Sequence, residues 1–140
     1  MQGLFHYRQS VTKESLGAAL SCWTKALALD PDSSTLNAMI SLVHYADARF
    51  GWWEDRETAH QKAMSYTQRA LELDPENPDA NVFASLALLQ AGRYDEAAEK
   101  ARRAVRLAPG SADATSFGCF TLAFAGFPEE AAALGERALT

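Results

Sequence analysis

Cysteine is nearly missing from this 140-residue chain: Cys22 and Cys119 stand far apart, and neither belongs to a Cys-x-x-Cys pair or a zinc-ligand spacing. That excludes a disulfide-stapled scaffold and a structural zinc fold. Two isolated thiols among apolar neighbours read as small core residues in a reducing compartment. Long apolar runs are missing too. Nothing approaches the ~20 residues of a membrane-spanning helix, and Met1-Gln2-Gly3-Leu4-Phe5-His6-Tyr7-Arg8 lacks the charged-then-apolar order of a signal peptide. A cytoplasmic stretch that does not engage a membrane is the expectation.

Positive charge is in short supply. Thirteen Lys and Arg face eighteen Asp and Glu, a net charge of −5, which argues against a phosphate backbone and so against nucleic acid as a partner. Catalytic signatures are equally scarce: no Gly-rich phosphate loop, Gly-x-Ser-x-Gly elbow or His-Glu-x-x-His sequence occurs. No catalytic residue, cofactor or metal is therefore assigned. His44 and Asp47 share a helix face at i, i+3, but His60 and Glu54 would have to converge from across a turn to complete a metal site. His44 is read instead as a partly buried helix residue. Lys100, Arg102, Arg103 and Arg106 form a basic cluster beside Asp95, Glu96 and Glu99, which reads as a solvated helix face with i, i+4 partners. Glu129 and Glu130 open a helix, where acids suit the positive end of the dipole.

What the chain does have is register. Ala26-Leu27-Ala28-Leu29-Asp30-Pro31, Ala70-Leu71-Glu72-Leu73-Asp74-Pro75 and Ala104-Val105-Arg106-Leu107-Ala108-Pro109 align, with their prolines 44 and then 34 positions apart. Seven residues before each leading alanine stand Ala19, Ala63 and Ala97, and both alanine series continue by 34 to Ala131 and Ala138. Alanines seven apart lie on one helix face, where a small side chain lets a neighbouring helix come close. Proline ends each helix by lacking an N–H and disfavouring helical geometry in the residue before it. New helices start at Asn77-Pro78 and at Ser33, Ser34 and Ser111, all capping residues. The pattern predicts about eight helices, near 3–9, 13–29, 34–50, 56–73, 78–91, 94–107, 112–125 and 128–139. No stretch alternates with period two, so no sheet is expected. The chain reads as a single all-α domain of four helix–turn–helix hairpins, over about 1–31, 32–75, 76–109 and 110–140, with ten extra residues in the second.

This 34-residue unit, with two small residues in its second helix and a closing proline, resembles the tetratricopeptide repeat family over essentially the whole chain. Gly92-Arg93-Tyr94-Asp95-Glu96-Ala97 is a close match. The large residue that pattern places four after the first alanine is Trp23, then Thr67, Ala101 and Gly135, and the aromatic early in the first helix is replaced by Asn37, Asn81 and Thr115. The resemblance implies a right-handed helical solenoid that binds a protein or peptide segment on a concave face lined by first helices. The positions it assigns to that groove are Thr35, Ala38, Leu42 and Tyr45, then Asp79, Val82, Leu86, Leu89 and Gln90, then Asp113, Ser116, Phe120, Ala123 and Phe124. None is basic, whereas members that grip a terminal carboxylate carry several basic residues there. An apolar or helical segment is the implied ligand, or else a further helix of a longer parent chain or a second copy of this one.

Leu4-Phe5-His6-Tyr7-Arg8, Thr12-Lys13-Glu14 and Phe50-Gly51-Trp52-Trp53-Glu54-Asp55 are similar to the repeat arms of certain bacterial signalling proteins. Such arms follow a class III nucleotide cyclase domain or a winged-helix regulator domain. That likeness implies a regulatory or assembly arm cut from a longer protein, whose parent could be an enzyme although no catalytic residue falls within this stretch. Trp52 and Trp53 sit at the turn of the enlarged hairpin, where two adjacent indoles cannot both point inward. At least one is expected to be partly exposed, as a contact surface.

Overall fold

The structure, a computed structural model, describes residues 12–139, so the helix predicted near 3–9 lies outside the described residues. Seven helices follow: α1 (Lys13–Leu29), α2 (Ser34–Phe50), α3 (Arg56–Leu73), α4 (Pro78–Gln90), α5 (Tyr94–Leu107), α6 (Ala112–Ala125) and α7 (Pro128–Leu139). Among the described residues there is no strand.

Local chemistry sets these boundaries. Thr12 and Ser15 cap α1 reciprocally, Thr12 Oγ1 accepting the Ser15 N–H at 3.1 Å and Ser15 Oγ accepting the Thr12 N–H at 2.9 Å. Ser33, Asp55 and Ser111 each accept the N–H three residues ahead, opening α2, α3 and α6. Asn77 caps α4 just before Pro78, and its Nδ2 also donates to Ser34 Oγ at 2.9 Å, while Ser34 Oγ donates to the Ala70 carbonyl at 2.8 Å. One small polar cluster thus ties the start of the second hairpin to its end and to the start of the third. At the hairpin turns, Gly92 and Gly126 take positive φ of 74° and 102°. The following N–H groups, of Arg93 and Phe127, reach back to the carbonyls of Leu88 and Leu122, closing the same left-handed helix stop in both repeats.

Each helix packs on the next in the chain, and α4 also packs on both α2 and α6, forming an inner row with α3, α5 and α7 outside it. The alanine tracks are the contact surfaces. Ala63, Ala70, Ala97, Ala104 and Ala131 are buried. Ala19 and Ala26 are only half-buried, because among the described residues α1 packs chiefly on α2, and Ala138 is exposed. Close approach is also enforced at Gly118, where an added Cβ would stand 3.0 Å from Val105 Cγ2 and 3.3 Å from Leu134 Cδ2. Asn37 and Asn81, which replace the family's aromatic, are buried and turn inward to the preceding backbone: their Nδ2 groups donate to the carbonyls of Ser33 and Asn77 at 2.8 and 2.9 Å. These bonds satisfy the buried amide nitrogens, whereas Asn81 Oδ1 is buried without a hydrogen-bond partner.

Cys22 departs from expectation. It is exposed on α1, a helix with no buried residue, whereas Cys119 is half-buried and points its thiol at the Ala131 carbonyl. Apolar neighbours in sequence do not bury a residue on the outward face of a helix that is covered on one side.

Ala97→Leu is expected to lower stability by about 1–3 kcal/mol through overpacking at a helix contact. Ala138→Leu on the same track, but exposed, is expected to stay within about 0.5 kcal/mol of the parent. Urea unfolding of the two variants measures the difference.

Candidate functional site

The inner row presents a recess of about 290 Å³ lined by Tyr45, Arg49, Arg56, Leu86, Leu89, Gln90, Tyr94, Phe120 and Phe124. Helical spacing explains the set. Leu42, Tyr45 and Arg49 share one face of α2, Leu86 and Leu89 one face of α4, and Phe120 and Phe124 one face of α6. Phe120 and Phe124 lie tilted against each other at 4.8 Å between centroids, and Phe124 is 68% exposed. Gln90 fastens the edge of the recess: its Nε2 donates to the Tyr45 carbonyl at 3.1 Å and its Oε1 sits 3.1 Å from His60 Nδ1. That amide is engaged at both ends, so it positions α4 against α2 and α3.

The predicted groove residues therefore divide. Tyr45, Leu89, Gln90, Phe120 and Phe124 line the recess, and Leu86, 1% exposed, forms its floor. Leu42 is half-buried against the core. Ala38 and Val82 are corrected to core residues: they are buried where the inner helices meet and offer no surface to a visitor. None of the assigned groove positions is basic, yet two arginines reach this recess from elsewhere. Arg49 and Arg56 line it, delivered by the lengthened tip of the second hairpin, whose helices run 17 and 18 residues against 13 and 14 in the third. The sequence carries a signal for Arg49, which follows Tyr45 by four residues on the same helix face.

That tip is held by Asp47, a buried carboxylate whose Oδ1 accepts the Trp53 N–H at 2.7 Å and whose Oδ2 accepts the Glu54 N–H at 3.3 Å. Sequence spacing offers Asp47 as a metal ligand; its partners here are backbone groups of the turn, invisible to residue spacing. His60 bonds to Gln90, and His44 stacks on Tyr66 at 5.5 Å. Among the described residues no three His, Cys, Asp or Glu side chains gather as a metal would need. Burial first, and then the nearby Lys62 ammonium, hold His44 below its ordinary pKa of 6.5. Lys62 itself pairs with Glu54 at 2.6 Å.

Phe50 stacks on Trp52 at 5.1 Å and Trp52 meets Trp53 edge-on at 5.5 Å. Trp52 is half-buried, and Trp53, 42% exposed, lies against α1 at Gly17, whose Cβ would fall 3.4 Å from its ring. On the outer side, a cleft of about 480 Å³ opens between α5, α6 and α7. There Arg102 grips Glu130 with two hydrogen bonds of 2.7 and 2.8 Å, pairs with Glu99 and lies over the Phe127 ring. Part of the basic cluster is thus neutralised at i, i+3 and across helices, not at i, i+4 as the sequence suggests.

Residues 61–112 match the family model described as the tetratricopeptide repeat. Among solved structures, the thermophilic tetratricopeptide repeat protein TTC0263 of Thermus thermophilus superposes with a TM-score of 0.77 at 21% identity, covering 94% of this chain and 68% of that one. The MamA protein superposes with a TM-score of 0.61 at 21% identity, covering 89% of this chain and 62% of that one. The chain therefore spans less than two thirds of MamA. No curated protein sequence matches it.

Because the depressed His44 pKa favours the neutral ring in the folded chain, its contribution to stability is complete above pH 6.5 and is lost as pH falls through the lower folded value. Stability should decline on mild acidification, and His44→Gln should flatten that slope in urea unfolding measured at a series of pH values.

Proposed function

The chain carries tetratricopeptide repeats, and from that premise we propose that it is a protein–protein interaction module whose recess on α2, α4 and α6 receives an apolar helical segment of a partner. The observation that carries this reading is Phe124, a large aromatic held 68% exposed by a rigid helix beside Phe120 and above a ready-made recess. Aromatic anchors in concave sites supply most of the binding energy in peptide-in-groove recognition. Among the described residues no helix is long and apolar enough to cross a membrane. The repeat-arm likeness of Phe50-Gly51-Trp52-Trp53-Glu54-Asp55 supports a regulatory or assembly arm of a bacterial signalling protein, with the cytoplasm as its setting. Any cyclase or DNA-binding domain of that parent would be outside the chain, and the role of this part is binding, not catalysis.

Selection of a displayed library of helix-forming peptides on the immobilised chain tests the reading. Selected peptides should carry apolar residues at i, i+3 and i+4 and should lose about tenfold or more in affinity for Phe124→Asp, as expected when one aromatic contact is forfeited. Phe124 is exposed, so this variant should keep its melting temperature. Peptides that bind the variant undiminished, or a selection that returns none, would contradict the groove. Self-association is a second reading, favoured by Leu29, which stands 89% exposed at the end of α1. Light scattering that finds a monomer at every concentration removes it, whereas a dimer abolished by Leu29→Glu supports it.

A further inference from the structure

We propose that the groove also reads charge: Arg49 and Arg56 at its edge receive a side-chain carboxylate, so the partner is an apolar helical segment carrying an Asp or Glu beside its apolar face. The inference rests on the groove reading above and adds the chemistry of the ligand.

Four observations support it. Neither guanidinium takes part in an ion pair among the described residues, although the protein holds eighteen acidic side chains, and Arg93 finds one partner while Arg69 and Arg102 each find two. Arg56 is the first residue of α3, a position where the helix dipole disfavours a cation, so local electrostatics do not account for it. Its neighbour Asp55 is committed elsewhere, accepting the N–H and hydroxyl of Thr58 at 2.9 and 2.8 Å. Arg49 lies against two rings, 5.4 Å from the Phe50 centroid and 5.9 Å from that of Phe120, which leaves its N–H edge to a planar two-oxygen acceptor; its one polar contact is a long 3.5 Å approach to the Tyr45 hydroxyl.

Both arginines belong to the lengthened tip of the second hairpin, which the buried Asp47 carboxylate holds in place. They are not on the first-helix positions that the repeat pattern assigns to ligand contact, so the insertion is what gives an otherwise apolar recess a sign preference. The neighbouring exposed aromatic would shield a bound carboxylate from water and strengthen the contact.

Three synthetic peptides, acetylated and amidated, sharing one leucine stripe and differing only by two Glu, two Gln or two Lys on the adjoining turn, test this by fluorescence anisotropy. The Glu peptide should bind about tenfold tighter than the Gln peptide, with the Lys peptide weakest, and rising salt should erase the gap. The double variant Arg49→Gln, Arg56→Gln should bind the Glu and Gln peptides alike. Equal affinities for Glu and Gln, or a preference that survives in the double variant, would overturn the inference. If Phe124→Asp releases the peptides while Glu and Gln bind alike, only the charge reading falls. If no peptide binds, or Phe124→Asp changes nothing, the groove reading falls with it.

Discussion

Contact between helices at alanine is the constraint on which the rest of this molecule depends. A methyl group is small enough for two backbones to approach and large enough to exclude water, and a residue seven positions on returns to the same face. With Ala63, Ala70, Ala97 and Ala104 buried, outer helices α3 and α5 press on the inner row without wedging it open. The inner helices then stand side by side at a separation their own side chains set, and the recess between Tyr45, Leu89 and Phe120 is a consequence of that spacing. Gly118 extends the same logic to α6, where an added methyl group would press tightly on the side chains of Val105 and Leu134.

Where helices begin and end was legible because those signals are local. A capping serine or asparagine, a proline after the last turn and a glycine at a left-handed stop act within four residues of themselves. The predicted and observed spans of α1, α2, α3, α5, α6 and α7 coincide, and α4 ends one residue early because Ala91 serves as its cap. Which residues of a helix face reach solvent was less legible, since exposure depends on what a second helix covers. Ala38 and Val82 occupy groove positions in the repeat pattern yet are covered by neighbouring inner helices. Cys22 has apolar neighbours in sequence and none beyond α2 to bury it among the described residues. Asp47 could not be placed at all, because its partners are backbone N–H groups created by the turn it stabilises.

The enlarged hairpin shows how an insertion changes a repeat without disturbing its stack. Its extra turns bury Ala48 and Ala59 at the tip, and Ala63 and Ala70 of α3 stay buried as Ala97 and Ala104 of α5 do. The added length instead brings Arg49 and Arg56 to the lining of the recess, while the Phe50–Trp52–Trp53 corner stacks on itself and meets α1 at Gly17. Such an insertion alters the chemistry at the edge of the recess and leaves the packed scaffold in place, as loops on a rigid framework can do.

The central claim is that a partner segment lies along the inner row and under that tip. Mapping amide and side-chain NMR shifts of the isotopically labelled chain on addition of a selected peptide tests it most directly. The account predicts perturbations concentrated at Tyr45, Arg49, Arg56, Leu89 and Phe124; a footprint centred instead on the outer cleft around Arg102, Val105 and Leu134 would contradict it.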